Sequence, residues 1–343
     1  MTTLNSTTFS EQEIRPDHLM DKQKQHYLND VARLMKLSSE FVASNCPACK
    51  NNSYEPVFSK YGMQFTRCNE CRTIFANPRP LQKHVDDYYA FSENYAYFNE
   101  FIFPSSAEVR LERIFKPRVA LVAELCQKFK VENDLLVEVG SGFGMFCAEV
   151  IRQGLFKKVI GIEPTAELAE TCRASGFEVL EKPIEQISPE DIVQGGKPVN
   201  VICSFEVIEH ILEPEGFIRK CHEFLTPGGL LLLTCPNSEG FDIVTLRAAS
   251  PAVDTEHLNL FNIHSLSLLL ERCGFTVIDK QTPGKLDCDL VRNRVLSGEF
   301  SLDSQPFLKQ ILIDGFEAHA DAFQQFLIDQ RLSSNMLLVA RKS

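Results

Sequence analysis

No run of roughly 18 apolar residues occurs in the 343-residue chain, so no helix is expected to cross a membrane. The N-terminus lacks the charged-then-apolar pattern of a secretory signal, which points to a cytoplasmic protein. Basic residues are the scarcer charge, 35 Lys and Arg against 46 Asp and Glu, for a net −11. Non-specific nucleic-acid binding rests on cations neutralising phosphates, so no nucleic-acid partner is expected. No internal repeat is found. A phosphate-binding Walker loop is excluded, because no Lys-Ser/Thr pair follows the glycines of the one Gly-rich turn. The G-x-G-x-x-G fingerprint of dinucleotide enzymes is also missing, as is the Tyr-x-x-x-Lys of short-chain oxidoreductases.

Cysteine is not scarce. Twelve are present, and eight stand singly in apolar segments: Cys126, Cys147, Cys172, Cys203, Cys221, Cys235, Cys273 and Cys288. A disulfide scaffold is short and loop-rich, and this chain is neither, so these eight read as buried free thiols. The other four form Cys46-x-x-Cys49 and Cys68-x-x-Cys71, separated by 18 residues. Each pair makes a knuckle that aims two thiolates at one point. Four soft sulfurs in a tetrahedron suit Zn²⁺, with no open position, so the role is structural. A redox C-x-x-C sits beside a βαβ unit, and that context is lacking here.

The glycines occur at Gly140, Gly142 and Gly144. They follow the apolar run Leu135–Val139, which contains Glu138, and precede the helical Met145–Ile151. Strand, glycine turn and helix N-terminus let a backbone approach a ligand closely. A second apolar strand ends in Glu163, 23 residues after Gly140. Rossmann-type folds place there an acid that accepts hydrogen bonds from ribose hydroxyls. An adenosine-containing cofactor is therefore expected.

Further strands are expected at Val199–Cys203 and Leu230–Cys235, with a helix over Glu213–Leu225 and a turn at Thr226–Gly229 between them. With Glu138-x-Gly-x-Gly-x-Gly144, the Glu163 strand end, Phe205-Glu-Val-Ile-Glu-His210 and Pro227-Gly-Gly, the chain resembles the class I S-adenosylmethionine methyltransferases over residues 131–280. The two Cys-x-x-Cys pairs, Tyr88-Tyr89, Ser92-Glu-Asn-Tyr95 and Glu256-His-Leu-Asn-Leu-Phe261 resemble a narrower group. Its members occur in bacterial polysaccharide and lipopolysaccharide gene neighbourhoods.

The resemblance implies an α/β fold, a Rossmann-like doubly wound seven-stranded sheet whose last strand is antiparallel, with an N-terminal zinc ribbon and a helical cap. The expected organisation is a tail and amphipathic helix over 1–43, with 1 to about 12 disordered and the helix running from Glu13 to Ala43. A ribbon follows over 44–84, an aromatic-rich cap over 85–117, and a cofactor domain over 118–343 with a helical insertion at about 286–333. A long helix from Glu108 to Lys130 should kink at Pro117. The resemblance also implies S-adenosylmethionine contacts at Glu138, Gly140, Gly142, Gly144, Glu163, Pro164, Ile184, Phe205 and Glu206. Glu206 is read as shaping its loop rather than doing chemistry.

Methyl transfer from a sulfonium is an in-line displacement, and an oxygen acceptor benefits from a base. His257 and His210 are the candidate bases, since each follows a strand whose carboxyl end opens on the cleft. His222 and His264 are set aside as helix residues. Tyr88, Tyr89, Tyr95, Tyr97, Phe98 and Phe101 suit a lid or, equally, an interior packing layer. The partner implied is a small hydroxylated acceptor, a sugar or nucleotide-linked sugar. The rivals are a non-catalytic cofactor-binding adaptor working through its zinc module, and a nicotinamide-linked sugar oxidoreductase or epimerase. The sequence leaves the oligomeric state open.

Overall fold

Seven strands form one sheet, and their sequences explain why it lies at the centre. The computed structural model describes residues 10–192 and 199–343; of the stretch expected to be disordered, residues 1–9 lie outside this range. Strands β1 (Tyr54–Lys60), β2 (Met63–Cys68) and β3 (Ile74–Ala76) belong to the ribbon. The main sheet uses β4 (Leu135–Val139), β5 (Lys158–Ile162), β6 (Glu178–Leu180), β7 (Val199–Phe205) and β8 (Leu225–Pro236). After the two-residue β9 (Asn259–Leu260) come β10 (Phe275–Gln281) and β11 (Asn335–Lys342). The order is β10-β11-β8-β7-β4-β5-β6. β4 to β8 are parallel, and β11 inserts antiparallel between β8 and β10.

Every residue of β4 and β7 is buried, as expected of parallel strands covered on both faces. One face packs Phe217, Ile218, Leu266 and Leu269 from the helices Pro214–Phe224 and Ile263–Arg272. The other packs Val119, Val122, Phe146 and Ala169 from the helices Lys116–Phe129, Met145–Arg152 and Ala166–Ala174. In β11, Met336, Leu338 and Ala340 join the first cluster, Leu337 and Val339 the second, the period of two that a two-sided strand requires. The expected turn at Thr226–Gly229 arches out of β8. Leu225 still pairs with Val199, and Leu230 resumes opposite Val201.

The expected helix from Glu13 to Ala43 is broken. Pro16 ends a first turn, Glu11–Ile14, and a separate helix runs Asp17–Met35, because proline cannot continue the ladder across it. The expected Glu108–Lys130 helix starts earlier, at Glu93, and passes through π-helical turns at Phe98–Ile102 and Leu111–Phe115. Pro117 lies just after the second π-helical turn, where the ladder is already irregular, and Lys130 ends the helix in the left-handed region. The insertion is helical, with Asp287–Leu296 and Phe316–Asp329 packing a small core together with Leu246 from the segment after β8. The eight single cysteines are all buried and free.

The ribbon is joined to the main unit. Its sheet runs β1-β2-β3-β9, so its fourth strand comes from the loop after β8. Asn262 Nδ2 donates to the Cys71 carbonyl at 3.1 Å, and Arg272 Nη1 donates to that of Ala48. The cap is anchored by Asp30 on the Asp17–Met35 helix. Fully buried, it accepts from Ser92 Oγ at 2.7 Å and from the amides of Glu93 and Asn94 at 3.1 and 2.9 Å. Removing that carboxylate leaves buried donors unpaired, at about 1–3 kcal/mol each. Asp30→Ala should therefore lower unfolding free energy by roughly 2–4 kcal/mol in urea denaturation. An unchanged midpoint and slope would show that Asp30 does not hold the cap.

Candidate functional site

The glycine turn has three different reasons for its glycines. All three have positive φ: 81° at Gly140, 52° at Gly142 and 71° at Gly144. A Cβ on Gly140 would lie 2.5 Å from Val207 Cγ2, and one on Gly144 2.8 Å from the Phe177 ring. Those two let the loop after β7 and the β5–β6 connection pack against the turn. A Cβ on Gly142 would meet nothing within 4 Å, so that glycine faces open space.

Glu163 closes on the same turn. Its carboxylate accepts from the Gly142 amide at 2.8 Å and the Thr165 amide at 3.0 Å. Burial pushes its pKa above the usual carboxylate range, against those two hydrogen bonds. Pro164 beside it is exposed, whereas Ile184 is 3 % exposed and packs into the core between sheet and helices. Glu138 is buried, accepts a hydrogen bond from the Cys147 thiol at 3.0 Å, and is pushed up to about 8 by burial.

Phe205 ends β7 with its ring edge-on to Phe146, centroids 4.9 Å apart. The Arg118 guanidinium lies 4.2 Å over the same ring, a cation–π contact. Glu206 holds a left-handed φ of 57° and accepts from Thr234 Oγ1 at 2.6 Å and Asn335 Nδ2 at 2.9 Å. It is thus placed as a loop-shaping group. Phe103 of the cap stacks on Phe143 of the glycine turn at 3.4 Å between centroids, so the cap touches the turn directly.

The two candidate histidines come together, rings 4.7 Å apart. His257 presents Nδ1 to the Ala252 carbonyl at 2.8 Å and to Asp254 at 3.1 Å. His210 presents Nδ1 to Tyr89 Oη at 3.0 Å and to the Glu256 carbonyl at 3.2 Å. Burial, with the neighbouring His257, lowers His210 to about 3, so it is neutral at physiological pH. Glu256 accepts from Tyr88 Oη at 2.7 Å and Tyr95 Oη at 3.0 Å, and burial pushes it up to about 7. Of the aromatic segment, Tyr88, Tyr89 and Tyr95 reach this centre. Tyr97 and Phe101 pack against each other beside Lys22, and Phe98 packs against Phe103 and Arg110. Of the histidines set aside, His222 packs edge-on against Phe275, and His264 lies in the Ile263–Arg272 helix.

A cavity of about 510 Å³ opens at the carboxyl ends of β7 and β8. Phe205, Glu206, Thr234, Arg118 and His257 line it, with residues of the helical insertion opposite. Sequence reasoning passed over Arg118, Asp254 and the role of Glu256. Nothing in a helix pattern marks Arg118, because its partners come from β7. Tyr-Tyr and Glu-His stand more than 160 residues apart in sequence.

The four ribbon sulfurs lie within 4.8 Å of one another. Cys46 and Cys71 are 3.4 Å apart, Cys49 and Cys68 3.5 Å. Zn–S bonds of about 2.3 Å put tetrahedral sulfurs about 3.8 Å apart, so the donor set fits a zinc ion.

The sheet order and the glycine turn give a Rossmann-like methyltransferase fold. Residues 110–280 match the family model described as a methyltransferase domain. Among curated relatives, the mitochondrial ubiquinone biosynthesis O-methyltransferase of Homo sapiens is 36 % identical over 107 residues, covering 30 % of this chain and 28 % of that protein. The ubiquinone biosynthesis O-methyltransferase of Rhizobium etli is 27 % identical over 127 residues, 36 % of this chain and 47 % of that one. The chain thus spans less than half the length of these relatives. An S-adenosylmethionine-dependent methyltransferase of Clostridium acetobutylicum superposes with a TM-score of 0.47 at 9 % identity, over 72 % of this chain and 99 % of that one. No described helix is long and apolar enough to cross a membrane.

Protein kept reduced throughout should carry one zinc per chain by elemental analysis. Cys49→Ser should lower that content and speed amide exchange over residues 44–76. Absence of zinc in the wild type would refute the ribbon assignment.

Proposed function

We propose that this chain transfers a methyl group from S-adenosylmethionine to a hydroxyl of a small molecule. The observation that carries the reading is the joining of two half-sites along one sheet edge. The glycine turn with Glu163 lies at the ends of β4 and β5, and a cavity with His257 at its wall lies at the ends of β7 and β8. Ligands of open α/β sheets bind at that edge.

Glu138, the glycine turn, Glu163 with Pro164, Ile184 at the end of the β6 connection, Phe205 and Glu206 are assigned to the cofactor side. When bound, the cofactor supplies a methyl on a sulfonium, so the new O–C bond forms as the S–C bond breaks and the thioether leaves with the electron pair. The chain's own tasks are positioning, exclusion of water and removal of the hydroxyl proton. The cap, pinned to the turn through Phe103 and to the histidines through Tyr89, serves the first two. The His257–His210 pair is assigned the third, with Asp254 and the Ala252 carbonyl orienting His257. The curated relatives are named as O-methyltransferases, which favours oxygen as the atom modified. Sugars and nucleotide-linked sugars are the acceptor class we put first, on the resemblance of the ribbon and the Glu256-His-Leu-Asn-Leu-Phe261 segment. The ribbon, cap and cofactor units are assigned to 44–84, 85–117 and 118–343. The site needs neither nucleic acid nor a membrane.

Glu163→Ala removes a charged acceptor from the cofactor. Such hydrogen bonds contribute about 1.5–3 kcal/mol, so S-adenosylmethionine affinity should fall roughly ten- to a hundred-fold by calorimetry. Tight binding of NAD with none of S-adenosylmethionine would overturn the class.

His257→Ala should lower single-turnover methylation by a factor of about 10² to 10⁴ with cofactor affinity nearly intact. A wild-type rate in both His257→Ala and His210→Ala would remove the pair from the chemistry.

A further inference from the structure

Asp242 is built into the cavity wall with one oxygen left unused. It lies in the first turn of the helix Phe241–Leu246 after β8, is 1 % exposed, and lines the cavity. Its Oδ2 accepts from Ser250 Oγ at 2.8 Å, whereas Oδ1 has no hydrogen-bond partner among the described residues. Ser334 Oγ stands beside it, but accepts from the Asp242 amide at 2.9 Å and makes no hydrogen bond to Oδ1. Burial, with the Asp287 carboxylate nearby, pushes the Asp242 carboxyl up to about 6, against both serine hydroxyls. A buried carboxyl oxygen without a donor is costly, so this one calls for a partner from outside the chain.

The surrounding wall is close-built. A Cβ on Gly240 would lie 2.3 Å from Ser334 Cα, and one on Gly284 2.1 Å from Ser333 Oγ, so both glycines are needed to seat Ser333 and Ser334 beside Asp242. Asp287 is satisfied within the chain: the Ser334 amide and Ser333 Oγ donate to it at 2.6 Å, and Gln324 Nε2 at 2.7 Å. Thr234 Oγ1 and Asn335 Nδ2, which also line the cavity, donate to Glu206. These donors have their partners, and what Asp242 adds to the cavity is a bare acceptor. Arg118 already brings a cation to the same cavity, with no carboxylate at ion-pair distance among the described residues. A neutral donor, a hydroxyl, therefore suits Asp242 better than a second cation.

Asp242 is also coupled to His257. Ser250 Oγ, which donates to Asp242, accepts from the Ala252 amide at 3.1 Å, and the Ala252 carbonyl faces His257 Nδ1 at 2.8 Å. One hydrogen-bonded chain thus sets the spacing between the free carboxyl oxygen and the imidazole assigned to the reacting hydroxyl.

We propose that Asp242 Oδ1 accepts a hydrogen bond from a second hydroxyl of the acceptor, one that is not methylated. This deepens the methyltransferase reading and rests on that cavity being the acceptor site. The acceptor is then a polyol or sugar held at two points. A site built to bond a hydroxyl rejects the analogue lacking it, because the buried group is then left unpaired. Asp242 is thus a specificity-determining residue, and the cofactor does not depend on it.

The test uses full-length protein saturated with S-adenosylhomocysteine. The probes are UDP-glucose, UDP-galactose and methyl α-D-glucopyranoside, each beside its singly deoxygenated analogues, with affinities read by ligand-detected NMR titration. At least one parent probe should bind. Loss of one particular hydroxyl should weaken it about ten- to a hundred-fold in wild type and less than about twofold in Asp242→Ala. Asp242→Asn, which keeps the volume and an acceptor oxygen, should recover part of the affinity that Asp242→Ala loses. S-adenosylhomocysteine affinity should stay within about twofold of wild type in both, as a distorted fold would not allow. If Asp242→Ala fails to fold, Asp242→Asn carries the comparison, with a smaller hydroxyl dependence than wild type. Wild-type protein that binds none of the parent probes overturns the proposal, as does a hydroxyl dependence equal in wild type and variant. Failure of the methyltransferase reading appears separately, as absence of S-adenosylhomocysteine binding in protein that still shows the Asp242-dependent pattern.

Discussion

A buried carboxylate, Glu256, receives two tyrosine hydroxyls from the cap, and the loop that carries His257 hangs on that junction. Tyr88 and Tyr95 come from the segment before the cofactor domain, Glu256 from the loop after β8. The carboxylate would be costly to bury alone. Two charge-assisted hydrogen bonds offset that cost only when cap and loop are docked together. The same loop carries His257, and the Glu256 carbonyl faces His210. The pairing that closes the cap therefore also fixes both imidazoles.

The ribbon is tied to this junction from the other side. β9 pairs with β3 and begins two residues after His257. Arg79, almost wholly buried, donates to the carbonyls of Leu212 and Leu258 and to Asn259 Oδ1. Asn259 in turn donates to the Ile211 carbonyl at 2.7 Å. The four ribbon cysteines thus stand one strand and one hydrogen-bond layer from the candidate site. A structural metal held there would act on the loop that carries His257 by fixing where β9 lies.

The parts legible in the sequence were those written locally. Apolar runs of five to seven residues could only be buried strands, and the glycine turn declared itself because one of its glycines avoids a clash with Val207 and another a clash with Phe177. Glu163 was singled out by its distance from the turn, on whose Gly142 amide its carboxylate closes, and the four ribbon cysteines by their spacing. The order β10-β11-β8 came from the resemblance and agrees with the structure. What stayed hidden was tertiary. Asp30 reads as an ordinary helix residue until Ser92 and two amides converge on it. Arg118 becomes a site residue only when Phe205 arrives under it. The helix through Pro16 was misjudged because the apolar spacing beyond it was extended back across the proline, whose ring and missing N–H acted locally.

The central claim is that this sheet edge transfers a methyl from S-adenosylmethionine to a small hydroxylated acceptor. The most direct measurement is incubation with methyl-labelled S-adenosylmethionine and a panel of nucleotide sugars, polyols and phenols, followed by separation of the small molecules. The account predicts label on one class of hydroxylated compound, with a matching yield of S-adenosylhomocysteine. Label that stays on the cofactor across the panel, in protein shown to bind it, would contradict the claim and favour a cofactor-binding adaptor.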